Sequence, residues 1–176
     1  MRKLVALLAF GSLFGLFAVL AIPVGAAPPP PPPPPCNPVS NGNGSATCTV
    51  HMQNQTMTGP VSPNVCPDGS VVPGGLLTTT VANGVFHLTI NKAGDAWATG
   101  TIEGTFVFVA DGTGVMYTGH FAQWFGDSVN NQNQVHHATI NFVGSSGDGS
   151  RISLHLEFHF NTDASGGVHF FMMTHC

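Results

Sequence analysis

"ISLHLEFHF", residues 152–160, alternates without a break: Ile152, Leu154, Leu156, Phe158 and Phe160 stand on one parity, Ser153, His155, Glu157 and His159 on the other. Period two is the signature of a strand with one face in a core and one face in water, because successive side chains point to opposite sides of a pleated backbone. Similar runs recur from about residue 45 onward, separated by turns rich in Gly, Asp and Asn: "NKAGD" (91–95), "ADGTG" (110–114), "GSSGDGS" (144–150) and "NTDASGG" (161–167). Residues of this kind accept tight or left-handed backbone. The spacing predicts strands over 46–57, 76–82, 84–91, 97–109, 114–125, 135–143, 151–161 and 168–175. "PVSPNVCPDGSVVPGG" (60–75) and "FGDSVNNQNQ" (125–134) are read as longer loops.

No stretch of this region keeps a 3.6-residue apolar period, so the fold class is all-β. Short local connections favour an up-and-down meander. Closing it would hide the edge strands that otherwise aggregate. The expected architecture is a small antiparallel β-barrel of calycin-like type, with a two-sheet β-sandwich as the alternative.

The N-terminal segment reads as targeting. "MRK" is a short positive start, residues 4–24 are an uncharged apolar run, and small residues follow up to Ala27. This predicts a signal peptide over 1–26 cut near Ala26. An uncleaved anchor is the alternative, because the run approaches the ~20 residues of a membrane span. Residues 27–45 form a proline-rich linker. Pro28 to Pro35 is an unbroken run of eight, which as polyproline II makes a stiff spacer of about 25 Å. Cys36, directly after it, lacks the context of a lipidation box. A single domain over 46–176 completes the organisation.

After residue 26, eight carboxylates face only Lys92 and Arg151, a net charge of −6 with His neutral. Nucleic acid is excluded as a partner, since its binding depends on clusters of Lys and Arg, and so is an anionic membrane surface. The N-terminal signal or anchor is the one element expected to meet a membrane. Cys36, Cys48, Cys66 and Cys176 are four cysteines in an exported chain with no C-x-x-C pair, which points to two disulfides rather than a zinc site. Three pairings are open. If first and last strands are neighbours, Cys48 pairs with Cys176 and Cys36 with Cys66. The chain is therefore placed in the extracellular space, or at the outer face of the cytoplasmic membrane if the signal is retained.

Parity brings the polar positions together. "HHATINFV" (136–143) carries Ala138, Ile140 and Phe142 on one side and His137, Thr139 and Asn141 on the other. Matching apolar rows across "GSSGDGS" sets Phe142 against Ile152, Ile140 against Leu154, Ala138 against Leu156, and His137 against Glu157. Extending this to "VHFFMMTHC" (168–176) places His169 opposite His159. The constellation His137, His155, Glu157, His159 and His169 offers the imidazoles and carboxylate that bind zinc or copper or move protons near neutral pH. The competing reading is a solvated outer face, on which any metal would be adventitious and no cofactor is needed.

Elsewhere there is no G-x-S-x-G elbow. Asp111 and Asp148 resemble calcium loops in composition alone. Asn43 in "NGS" and Asn54 in "NQT" fit the glycosylation sequon. In "YTGHFAQWFG" (117–126), Tyr117, Phe121 and Phe125 share the core parity, with His120 and Trp124 on the rim side.

"YTGHF", "WFG", "DGSR", His155 with His159 and the closing Cys176 together resemble a family of exported proteins common in actinobacteria and related soil bacteria. The resemblance spans about residues 85–176. It implies an exported location and a β fold, and assigns no catalytic residue. On these grounds the chain is expected to be a non-enzymatic envelope or extracellular module binding a small apolar ligand or a surface glycan. The alternative is a calycin-like or cyclase-like barrel enzyme using His137, His155, Glu157 and His159, with or without a metal.

Overall fold

A computed structural model describes residues 36–130 and 132–176; the expected signal peptide and proline run lie outside the described residues. Those residues form eleven strands and no helix. Nine strands join one antiparallel sheet, β1 (Val39–Ser40), β2 (Ala46–Met52), β3 (Thr56–Val61), β6 (Gly75–Ile90), β7 (Ala96–Ala110), β8 (Met116–Val129), β9 (Gln134–Ser146), β10 (Arg151–Thr162) and β11 (Val168–His175). Their order is β1-β2-β6-β7-β8-β9-β10-β11, with β3 also on β6 beyond the end of β2. The short β4 (Asn64–Val65) and β5 (Val71–Val72) make a separate hairpin. The all-β class and the meander stand. In this order β11 pairs with β10, and β1 with β2, at opposite ends of the path.

One sheet with no helix to cover it can bury an apolar face only by curling on itself. Leu77 of β6 and Leu154 and Leu156 of β10, far apart in strand order, line one apolar hollow together with Phe106, Phe108 and Phe142. Val61 at the end of β3, with Val72 and Pro73 at the end of the β4–β5 hairpin, also lines it. Alternate residues of every long strand feed this interior, β7 most regularly, with strictly alternating buried and exposed positions from Ala96 to Ala110. Phenylalanine rings fill it. Phe86 stacks on Phe125 at 6.1 Å and Phe121 on Phe142 at 6.0 Å, while Phe106 meets Phe142 edge to face at 5.4 Å.

Glycines on the inner row make room for these rings. A Cβ on Gly100 would run into the ring of Phe125, and one on Gly104 into the Thr80 carbonyl and the ring of Phe121. The missing side chains let bulky rings lie over bare backbone.

Two runs read as separate strands, 76–82 and 84–91, are the single strand β6 with a bulge between Val81 and Asn83. The extra residue switches parity, so Leu77, Thr79 and Val81 before it and Phe86 and Leu88 after it all face inward. The run 46–57 divides at a corner into β2 and β3. The polar loop expected from Phe125 is shorter, since β8 continues to Val129.

The disulfides are Cys36–Cys48 and Cys66–Cys176, which corrects the expected pairing. That pairing assumed that β11 neighbours β2. The end of β11 lies instead beside the β4–β5 hairpin, where Cys66 is buried. Two disulfides fit an oxidising compartment outside the cytoplasm.

Candidate functional site

The turns decide which outer-face side chains meet. At 146–150, the Asp148 carboxylate accepts hydrogen bonds from the Ser150 N–H at 2.9 Å, the Ser150 hydroxyl at 2.6 Å and the Ser146 hydroxyl. These donors hold the Asp148 carboxyl down to about 2, the Ser146 hydroxyl contributing most. Asp163 is treated alike by the Ser165 hydroxyl and N–H and the Gly167 N–H, and is also lowered to about 2. The same Asx turn recurs at Asn43 with Ser45 and at Asp68 with Ser70.

Centred on these turns, both hairpins sit two residues away from the expected register. Phe142 faces Leu154 and Ile140 faces Leu156, so faces are kept and partners change. His137 lies opposite His159, not Glu157, and Glu157 lies opposite Thr139. On β11, His175 faces His155, Met173 faces Glu157 and Phe171 faces His159. His169 is therefore removed from the constellation. It stands opposite Asn161, its Nε2 3.5 Å from Asp163 Oδ2.

What gathers on the outer face of β8–β11 is two imidazole pairs flanking one carboxylate. His155 and His175 have ring centres 5.7 Å apart, His137 and His159 5.6 Å, and Trp124 meets His137 edge to face at 5.3 Å. His155 Nε2 lies 3.0 Å from Glu157 Oε1, and its Nδ1 lies 2.6 Å from Asn141 Oδ1. The His155 hydrogen bond, helped by charge on His155, His175 and His137, holds the Glu157 carboxyl below its ordinary value against a smaller opposing effect of desolvation. The His155 and Glu157 side chains are 33% and 36% exposed, so the pair lies open to water. As they stand, no three His, Cys, Asp or Glu side chains among the described residues converge as a metal-ligand set.

Asn141 also lines a shallow groove of about 330 Å³ with Trp124, Thr139, Thr101 and Glu103. Two further hollows continue it along the outer face of β7–β9, sharing first Glu103, Ala122 and Asn141, then Thr105, His120 and Val143. The result is one long trough, rich in hydroxyl and amide groups, with Trp124 at one end and Arg151 at the other. Trp124 was read as a rim aromatic, and the alternation of β7 and β8 carried that signal. The threonines and Glu103 carried no motif and were missed.

A second missed feature lies on the opposite face. Asp127 and His136 are directly paired across β8 and β9 on the inner row, His136 Nδ1 2.5 Å from Asp127 Oδ1, their side chains 5% and 20% exposed. The signal was present: Asp127 continues the parity of Phe121 and Phe125, and His136 that of Ala138 and Ile140. No family model, curated protein or solved structure matches the chain.

Proposed function

We propose that the chain is an exported, non-enzymatic binding module of the cell envelope or extracellular space, an open barrel whose outer trough holds a neutral surface glycan. The two disulfides support the compartment. The observation that carries the ligand class is the trough itself, where an exposed indole adjoins hydroxyl, amide and carboxylate groups. Sugars present apolar C–H faces that stack on such a ring and hydroxyls that pair with side chains of this kind.

Two observations weigh against the other readings. The apolar hollow under the β4–β5 region is about 60 Å³, whereas pockets for small ligands run from about 300 Å³ upward. The His/Glu face is open to water and lacks the enclosure that gives catalytic groups their leverage, which favours binding over catalysis. The paucity of ionic groups along the trough favours a neutral glycan over a charged one.

Trp97 and Trp124 are the two tryptophans of the chain, so a Trp97→Phe variant reports on Trp124 alone. Titrating it with hexasaccharides of β-1,4-glucan, β-1,3-glucan and chitin should give a saturable change in emission with at least one of them. Loss of binding in Trp124→Ala and Asn141→Ala is expected. Absence of binding across the panel, or unchanged affinity in Trp124→Ala, overturns the reading.

A further inference from the structure

We propose that β11 is the interface of a two-fold dimer, in which two copies of this chain join edge to edge through antiparallel β11 strands. A free sheet edge presents unpaired backbone N–H and C=O groups, and proteins blunt such edges with a very short strand, a proline or a charge. Among the described residues, two of the three edges of the large sheet carry such a device. β1 is two residues long, and the chain just before it is tied to β2 by the Cys36–Cys48 disulfide. β3, paired with β6 alone, contains Pro60. β11, "VHFFMMTH", ends the strand order with its ladder to β10 alone and carries no proline, lysine, arginine or carboxylate.

The turn before β11 fixes which of its backbone groups are free. The Asp163 N–H donates to the Gly167 carbonyl at 3.0 Å, and hydrogen-bonded and non-bonded pairs alternate from there. His169, Phe171, Met173 and His175 therefore turn their N–H and C=O toward β10, while Val168, Phe170, Met172 and Thr174 turn theirs away. A two-fold axis beside Phe171 sets Phe170 opposite Met172 of the second copy, and Val168 opposite Thr174. All the outward groups then pair, and the side chains match on both faces. Phe170 and Met172 meet on the concave side, beside the half-buried Phe160 and Phe158 of β10. On the outer side Phe171 meets its own copy in a non-bonded pair, where side chains stand closest.

The apolar area is of the right size. Phe170 and Phe171 are 56% and 54% exposed, and Val168 and Met172 are exposed as well. At about 200 Å² for a phenylalanine, the two rings leave about 100 Å² each in water, and the four residues about 400 Å² per copy. Pairing removes about 800 Å² in all before the backbone edge is counted, and a specific interface needs about 1,000 Å². Because the other edges are blunted, the isologous contact closes at two copies instead of growing into a fibre. The trough on β7–β9 stays open in both, so the inference does not depend on the glycan reading.

Sedimentation velocity of the purified, disulfide-bonded chain over about 1–500 µM should show a reversible monomer–dimer equilibrium and no larger species. Phe171→Lys sets like charges against each other at the axis and should weaken association at least about tenfold, as should Phe171→Glu. An equimolar mixture of these two variants should regain the dimer, since opposite charges then face each other. Met172→Pro, which removes an outward N–H and no bond to β10, should also weaken association, whereas Val39→Lys on β1 should associate as the parent does. Melting curves at about 1 µM, expected to coincide for parent and Phe171→Lys, separate loss of the interface from loss of the fold. A chain that stays monomeric at every concentration leaves the edge to another occupant and overturns the proposal. Species that grow beyond two copies, undiminished association in Phe171→Lys, a mixture that stays monomeric, or loss of association in Val39→Lys overturns it as well.

Discussion

The two disulfides close very different loops, and removing them should cost correspondingly different amounts. Cys66 and Cys176 are 110 residues apart in sequence, Cys36 and Cys48 only 12. Loop-closure entropy assigns about 4.8 kcal/mol to the long link and about 2.8 kcal/mol to the short one. At about 3 °C per kcal/mol for a domain of this size, Cys66→Ala/Cys176→Ala should melt about 15 °C lower than the parent and Cys36→Ala/Cys48→Ala about 8 °C lower. Paired substitution leaves no free thiol, and alanine at the buried Cys66 position adds no unsatisfied hydroxyl. The structure adds a local signature. In the strand order β11 has one ladder, to β10, so loss of the long link should free its amides to exchange, while loss of the short link should leave them protected. Thermal unfolding with hydrogen exchange reads both effects. Equal melting shifts, a larger shift from the short link, or unchanged exchange in β11 would refute the reasoning.

Further outcomes follow from packing and electrostatics. Gly104→Ala should destabilise by about 3 kcal/mol or more, since its methyl would meet the backbone carbonyl of Thr80, whereas Gly147→Ala, with nothing near its Cβ position, should stay within about 0.5 kcal/mol. His136→Ala should cost about 3 kcal/mol in denaturant unfolding because it strips the buried Asp127 of this partner; a change below 1 kcal/mol would show the pair to be dispensable. The Asp148 and Asp163 carboxyls, depressed to about 2, should hold their turns together above the ordinary value of 3.8 and release them as pH falls through about 2. The Ser150 and Ser165 amide shifts should therefore titrate near pH 2; a midpoint near 3.8 would contradict the Asx turns.

The residues that could be read in advance were those whose position depends on parity alone. Parity survives a two-residue error, so the inner row of Ala138, Ile140, Phe142, Leu154 and Leu156 and the outer row of His155, Glu157 and His159 were legible before any coordinate. Which outer residues touch is set by register, and register is set by the turn. There the informative residues were the Asp and Ser of "DGS" and "DAS", whose side-chain bonds to the backbone fix the turn centre at Asp148 and Ser165. Matching apolar rows alone could not see this, because adjacent matches bury nearly equal surface. The disulfides were illegible for a related reason: their pairing depends on where the end of β11 lies in space, and only the curl of the sheet brings it to Cys66.

The same two-residue slip changes which outer-face polar residues meet. In the expected register, Glu157 faced His137 and the five polar residues formed one diffuse cluster. In the observed one, Glu157 stands between two imidazole pairs and makes its hydrogen bond to His155 alone. Asn141 is shared by His155 and the trough. Its amide has one oxygen. If that oxygen is held by His155, the groove is left with the amide nitrogen as donor, and a glycan hydroxyl must accept rather than donate there.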